Sequence, residues 1–210
     1  MKIGAVTLAY RDQDIIAGTL KCLKPFVDRH IVLISERPYF GERIPPDKTS
    51  EIAKDLGAEV ISGFWNLDHT QRTLGNRLLK ECDWVLGFDS DEMITGNDFE
   101  KLASFLGKTK AKAVSVVPEV YWFNTDYRLS PKPHYDPIIA MKPDVKFTHI
   151  RNIDTPWIKW DGVMHHLSWC KPKNVLQKVT TYAHASDFNG EKWYEENYEN
   201  WKSGNKVLMP

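Results

Sequence analysis

An α/β fold, with a mostly parallel central sheet covered by helices on both faces, is what this 210-residue sequence predicts. Three observations carry that expectation. Short runs rich in β-formers alternate with helically spaced stretches about four times in the first 90 residues. Those runs are apolar on both faces, the pattern of parallel strands buried between helix layers. After residue 112 the pattern changes: Pro and aromatics become frequent and helical periodicity weakens, which predicts a smaller mixed or antiparallel region.

Taken in order, Ile3 to Ala9 is mostly apolar and reads as a buried strand. Asp12 to Phe26 has helical spacing, with Ile15, Ile16, Leu20, Leu23 and Phe26 on one side and Asp12 or Asp14 as the cap. His30 to Ser35 is a second strand. Asp47 or Thr49 caps a helix running to Leu56, and Gly57 ends it. Ala58 to Ser62 is a third strand. His69 to Cys82 is a helix with Leu74, Leu78 and Leu79 inward, and Trp84 to Phe88 is a fourth strand. A helix near Asn97 to Leu106 and a strand over Lys112 to Glu119 follow. Residues 120 to 170 read as strands and loops, and Val175 to Ala183 as a short helix. Lys192 to Trp201 reads as an amphipathic aromatic helix.

The length suits one domain, with divisions at 1–95, 96–188 and 189–210. With 28 basic and 28 acidic residues the formal charge is zero, which lacks the basic excess of non-specific nucleic-acid binders. No run of about 18 apolar residues predicts a membrane span, and no secretory pattern opens the chain, so a cytoplasmic protein is expected. Cys22, Cys82 and Cys170 are far apart and odd in number, and are expected to be buried or partly buried thiols. Five of the eight Trp lie after residue 156, where their faces suit either sugar rings or core packing.

Ligands of such sheets bind beyond the carboxyl ends of the strands. That rule selects Ala9-Tyr10, Ser35-Glu36, Gly63-Phe64 and Asp89-Asp91. Asp89 and Asp91 share a face of an extended segment, and two carboxylates at a sheet mouth call for a positive partner. A hard divalent cation with open positions for phosphate oxygens, Mg²⁺ or Mn²⁺, meets that need; a solvated acidic turn is the plainer alternative.

Asp83 to Thr95, D-W-V-L-G-F-D-S-D-E-M-I-T, resembles the glycosyltransferase type-A fold, in which a strand delivers an Asp-x-Asp motif. Gln71 to Asn76 resembles the Q-R-N-x-G helix of family 2 glycosyltransferases, with Thr73 in place of Asn. Val6 to Ile16 resembles that family's opening strand and turn, with Arg11-Asp12 where it prefers Asn-Glu. His166-Leu167-Ser168-Trp169, with Lys178 and Ala183-His184, resembles the H-x-S-W…K…A-H pattern of family 17-like enzymes of the same fold.

The resemblance implies a transferase moving a sugar from a UDP- or GDP-linked donor to an acceptor hydroxyl, with Mn²⁺ or Mg²⁺ as cofactor. Asp91 ligates the metal, Asp89 reaches the metal or ribose, Ser90 lies between them, and His166 supplies a third ligand. His165 competes for that place but points to the other face. Glu92 supports the loop. Arg72 pairs with the diphosphate, with Lys171 or Lys178 as further candidates. Thr7, Tyr10 and Glu36 hold base and ribose. Asp161, close in sequence to His166, is the first candidate for a general base, ahead of Asp154, Asp136 and Glu119. The acceptor is open: a glycan, another hydroxyl acceptor or a modified DNA base. A nucleotidyltransferase would carry a Gly-rich phosphate loop, which Val6 to Arg11 lacks. A non-catalytic carbohydrate-binding protein leaves the Asp-x-Asp segment unexplained.

Overall fold

The computed structural model describes residues 1–182, 185–203 and 205–207. Ala183 and His184, the last pair of the H-x-S-W…K…A-H pattern, lie outside the described residues.

Strands β1 (Ile3–Ala9), β2 (Arg29–Ser35), β3 (Glu59–Gly63) and β4 (Trp84–Asp89) alternate with helices α1 (Ile16–Leu23), α2 (Thr49–Asp55) and α3 (Asp68–Leu78). The short β5 (Glu92–Met93) and α4 (Gly96–Lys108) follow. Next come β6 (Ala113–Ser115), β7 (Glu119–Trp122), β8 (Asn124–Arg128), β9 (Ile138–Met141), β10 (Phe147–His149), β11 (Asn152–Ile153), β12 (Ile158–Lys159) and β13 (His165–Trp169). Helices α5 (Pro172–Thr181) and α6 (Gly190–Trp193) close the chain, and α6 runs on as a π-helical segment, Tyr194–Glu199.

The central sheet has the order β12-β6-β9-β4-β1-β2-β3. The pairs β1–β2, β2–β3 and β1–β4 are parallel, while β9 runs antiparallel to both β4 and β6. A second sheet, β5-β13-β7-β8, stands beside it, and β10–β11 form a small hairpin. This is the expected α/β architecture. The second region is mixed rather than uniformly antiparallel, because β13 pairs parallel with β7.

Several elements depart from their expected bounds for local reasons. The strand expected over Lys112 to Glu119 is two strands in different sheets. Pro118 has no N–H for a ladder, and the chain crosses from one sheet to the other there. Neither Asp12 nor Asp14 caps α1; the Asp12 carboxylate instead accepts from Tyr10 N at 2.8 Å and Ser90 Oγ at 2.6 Å. Asp47 Oδ1 accepts from Thr49 N at 2.9 Å just before α2, and Gly57, at φ +86°, turns the chain after it.

The buried face of α3 is polar. Gln71, Arg72, Gly75 and Asn76 face inward, whereas Leu74 and Leu78 are only half-buried and Leu79 is enclosed just past the helix. Gln71 Nε2 donates to Leu33 O at 2.9 Å and Asn76 Nδ2 to Val145 O at 3.0 Å, which satisfies them where they are buried. The C-terminal tryptophans are mostly core: Trp122, Trp169 and Trp193 pack with Val175, Val179 and Tyr198 in one apolar cluster. Cys82 is buried and Cys22 and Cys170 are partly so.

Candidate active site

The strand order reverses about β1, which lies between β2 and β4, so a crevice opens beyond the carboxyl ends of β1 and β4. A cavity of about 260 Å³ lies there. It is lined by Tyr10 and Asp12 after β1, Asp89 to Asp91 after β4, Arg151 from the β10–β11 hairpin, Ser168 from β13 and Lys178 from α5.

Backbone pairing brings the two acidic and histidine segments together. Strand β5 pairs antiparallel with β13 in the register His166↔Glu92, and Leu167 N donates to Asp91 O at 2.9 Å. Alternate side chains of β13 then face Asp91. Ser168 Oγ lies 2.5 Å from Asp91 Oδ2 and 2.5 Å from His166 Nε2. Lys178 Nζ donates to Ser168 Oγ and lies 3.2 Å from Asp91 Oδ2. His166 Nε2 is 3.6 Å from Asp91 Oδ1, and its Nδ1 is 3.0 Å from Tyr135 Oη. His165 faces away and pairs with Tyr121 Oη at 2.8 Å.

The protons of this cluster follow from valence. Ser168 has one hydroxyl hydrogen, and the carboxylate can only accept, so Ser168 donates to Asp91. His166 Nε2–H then donates to Ser168 Oγ, and Tyr135 Oη–H donates to Nδ1. Burial would raise the Asp91 carboxyl, but the Lys178 ammonium and the hydrogen bond from Ser168 outweigh it and hold it below the usual range. Burial lowers His166, keeping the imidazole neutral.

Asp89 is compensated from the other side. Arg72 Nη2 donates to Asp89 Oδ2 at 3.0 Å, and Arg151 Nη1 is 3.6 Å from the same oxygen. Oδ1 is 2.9 Å from Arg72 Nη2 but off its N–H direction, and is buried without a hydrogen bond. Burial pushes Asp89 up, and the two guanidiniums reverse this, leaving it below the ordinary range. Arg151 also grips Glu92, which is 1% exposed, through both carboxylate oxygens, and Arg151 Nη2 donates to Gly87 O at 2.5 Å. Glu92 Oε2 accepts from Asp89 N at 2.8 Å, so it fixes the loop from within. Asp12, linked to Ser90, is pushed up to about 7 by burial, against the pull of its hydrogen bonds.

The remaining expected residues divide. Tyr10 lines the cavity, and its hydroxyl is buried beside the Ile44 backbone. Thr7 does not line it: it is fully buried mid-strand, its Oγ1 2.9 Å from His30 Nε2. Glu36 is exposed and outside the lining, because the chain turns after Ser35 and presents Arg37 and Tyr39 instead. Arg72 reaches the cavity, and its Nε and Nη2 donate to Asp68 and its Nη2 also to Asp89, so it positions Asp89. Asp161 is exposed on the loop between β12 and β13 and does not line the cavity. Of its alternatives, Asp136 pairs with Lys159 at 3.3 Å and Glu119 with Lys132. Arg151 and Tyr135 had no signal in the sequence: both lie in the stretch that matches no motif.

Among the described residues, no three His, Cys, Asp or Glu side chains converge as a ready metal cage, because Asp89 is turned onto its arginines. The pair Asp91 Oδ1 and His166 Nε2 does suit a divalent cation, although His166 does not itself line the cavity; Ser168, 2.5 Å from its Nε2, does. Two ligands of one ion at about 2.1 Å each can span their 3.6 Å separation. Such ions are often held by only one or two protein ligands, with substrate phosphates and water filling the rest. Ligation by Nε2 needs the other tautomer, in which Nδ1–H donates to the rotatable Tyr135 hydroxyl.

No protein-family model matches this chain, and no curated protein matches it. Solved structures do resemble it. A mycobacterial protein shares 15% identity at TM-score 0.53, covering 79% of this chain and 65% of that one. S. aureus TarS shares 14% at TM-score 0.52, covering 87% and 40%. Glucosyl-3-phosphoglycerate synthase from Mycobacterium tuberculosis, in complex with Mn²⁺, uridine diphosphate and glucosyl-3-phosphoglycerate, shares 20% at TM-score 0.46 over 56% of this chain and 44% of that one. The chain thus spans less than two thirds of the length of these structures. At these identities the likeness shows the fold, the α/β type-A architecture expected from the sequence.

Proposed function

We propose that the chain is a glycosyltransferase that moves a sugar from a UDP- or GDP-linked donor to an acceptor hydroxyl. One observation carries the reading. Two segments some 75 residues apart in sequence, the Asp-Ser-Asp loop after β4 and the His-x-Ser strand β13, meet at one cavity beyond the strand ends.

Asp91 and His166 are the residues that hold a divalent cation, which when bound stabilises negative charge developing on the leaving diphosphate. The chain's own groups account for the rest. Lys178 and Arg151 place positive charge against the carboxylates at the cavity floor. Arg72 and Glu92 fix Asp89, by its side chain and its backbone N–H respectively. Ser168 and Tyr135 orient the His166 ring. Tyr10 lines the cavity and offers its ring to the nucleoside. The proposal assigns no step to Asp161, which stands outside the cavity.

The test is Asp91→Ala, assayed for hydrolysis or transfer of UDP- and GDP-sugars with Mn²⁺ supplied. Turnover falls by at least about 10²-fold while the melting temperature stays near that of the wild type. Unchanged turnover sinks the reading.

A further inference from the structure

We infer that Lys178 is a built-in stand-in for the divalent cation, which gives up Asp91 only when a nucleotide diphosphate arrives to take the ammonium. The inference rests on the proposed function and adds an order of assembly to it.

The geometry is specific. One hydroxyl, Ser168 Oγ, is hydrogen-bonded to both groups that hold the cation in the proposal, Asp91 Oδ2 and His166 Nε2, each at 2.5 Å. Lys178 Nζ donates to that hydroxyl and stands 3.2 Å from Asp91 Oδ2. Ammonium and hydroxyl together therefore satisfy Asp91 and His166 and supply the positive charge Asp91 needs. A divalent ion arriving alone has to displace this network and sit beside a cation that is only 27% exposed and poorly screened.

Three cations touch Asp89 or Asp91 among the described residues, and they differ in freedom. Arg72 is locked by Asp68 and Asp89, and Arg151 by Glu92 and Gly87 O. Lys178 is held by one hydroxyl, one carboxylate and the face of Trp169, 5.7 Å from its ring centroid, on a flexible stem, while its helix α5 is anchored by buried Val175 and Val179. It can leave Asp91 without moving the backbone. A diphosphate in the cavity offers it oxygens in exchange, which releases Asp91 and His166. Cation and nucleotide then bind cooperatively, and by linkage each tightens the other by the same factor.

Mn²⁺ binding to the whole protein, followed by electron paramagnetic resonance with and without UDP or GDP, tests this. In the wild type a nucleotide tightens Mn²⁺ binding at least tenfold. Lys178→Met binds Mn²⁺ alone at least tenfold tighter than wild type and loses most of the nucleotide effect, while Lys178→Arg keeps the wild-type pattern. Ser168→Ala, which frees His166 without removing a charge, shifts Mn²⁺ binding in the same direction by a smaller factor and decides the matter independently of the lysine variants. If wild type binds Mn²⁺ with nucleotide, but neither Lys178→Met nor Ser168→Ala tightens Mn²⁺ binding alone, the handover is overturned and the proposed function stands. If the wild type binds no Mn²⁺ with either nucleotide, both are overturned.

Discussion

Asp89 and Asp91 sit two residues apart, yet the chain compensates them from different quarters: arginines of α3 and the β10–β11 hairpin for Asp89, a lysine of α5 for Asp91. The most exacting of these contacts is Arg151 on Glu92. Ile150, just before it, has φ +44°, so the turn holds a β-branched residue in a costly conformation while delivering the guanidinium. Glu92 is almost wholly buried, and removing its partner leaves a charge with nowhere to go. Such a loss costs about 3–5 kcal/mol, which for a chain of this size lowers the melting temperature by roughly 6–20 °C. Arg151→Met is therefore expected to melt well below wild type. Adding Glu92→Gln, which removes the orphaned charge, restores part of the loss. A single variant melting within about 2 °C of wild type rejects this account. The sequence singled out Asp91 and His166 because each sits in a spaced motif beside a strand, but it assigned Ser168 no role. Arg151 was not singled out, since nothing in a lone Arg on a short hairpin tip reveals what carboxylate it will meet.

Helix α3 shows why element-level reading succeeds and fails together. Its existence and place were legible from the alternation of strands and helices. Its inward face was not, because the inward side chains are polar and periodicity counts apolar ones. Gln71, Arg72 and Asn76 are buried by specific hydrogen bonds to Leu33 O, Asp89 and Val145 O, partners that only the folded chain supplies. Gly75 has a different task on the same face. A Cβ there would lie 2.5 Å from Val6 Cγ1 and 2.8 Å from Cγ2, so the glycine lets α3 lie directly on β1. Gly75→Ala gains about 1 kcal/mol in helix propensity but overpacks a stiff β-branched neighbour by about 1–3 kcal/mol. The net expectation is a lower melting temperature. In a Val6→Ala background both Cγ contacts are gone and only Val6 Cβ, at 3.2 Å, still crowds the new methyl, so the same substitution costs less or stabilises. Equal effects in the two backgrounds, measured as a double-mutant cycle, would show that close packing on Val6 is not the reason for the glycine.

Across the whole molecule, the cavity is assembled from both halves of the chain. Tyr10 and Asp91 come from the parallel sheet, Ser168 from the mixed sheet and Lys178 from α5, which is clamped onto the C-terminal aromatic cluster through Val175 and Val179. The sequence left the tryptophans after residue 156 open to sugar contact, with core packing the favoured reading. Trp169 and Trp193 proved to be core, joined by Trp122 from β7, and their task is to hold α5 and so Lys178 against the sheet. No helix of the described residues is long and apolar enough to cross a membrane. Because these groups converge only in the native state, a ligand that bridges them stabilises the entire fold by mass action. At a concentration of 100 times its dissociation constant, that amounts to about 2.7 kcal/mol, or roughly 5–11 °C in melting temperature. The expectation is such a rise with a UDP- or GDP-sugar plus Mn²⁺, and a much smaller one with either component alone. Asp91→Ala should abolish the joint rise without lowering the baseline. A nucleotide-sugar that raises the melting temperature equally with and without Mn²⁺, in wild type and variant alike, binds elsewhere, and then the crevice beyond β1 and β4 is not the donor site.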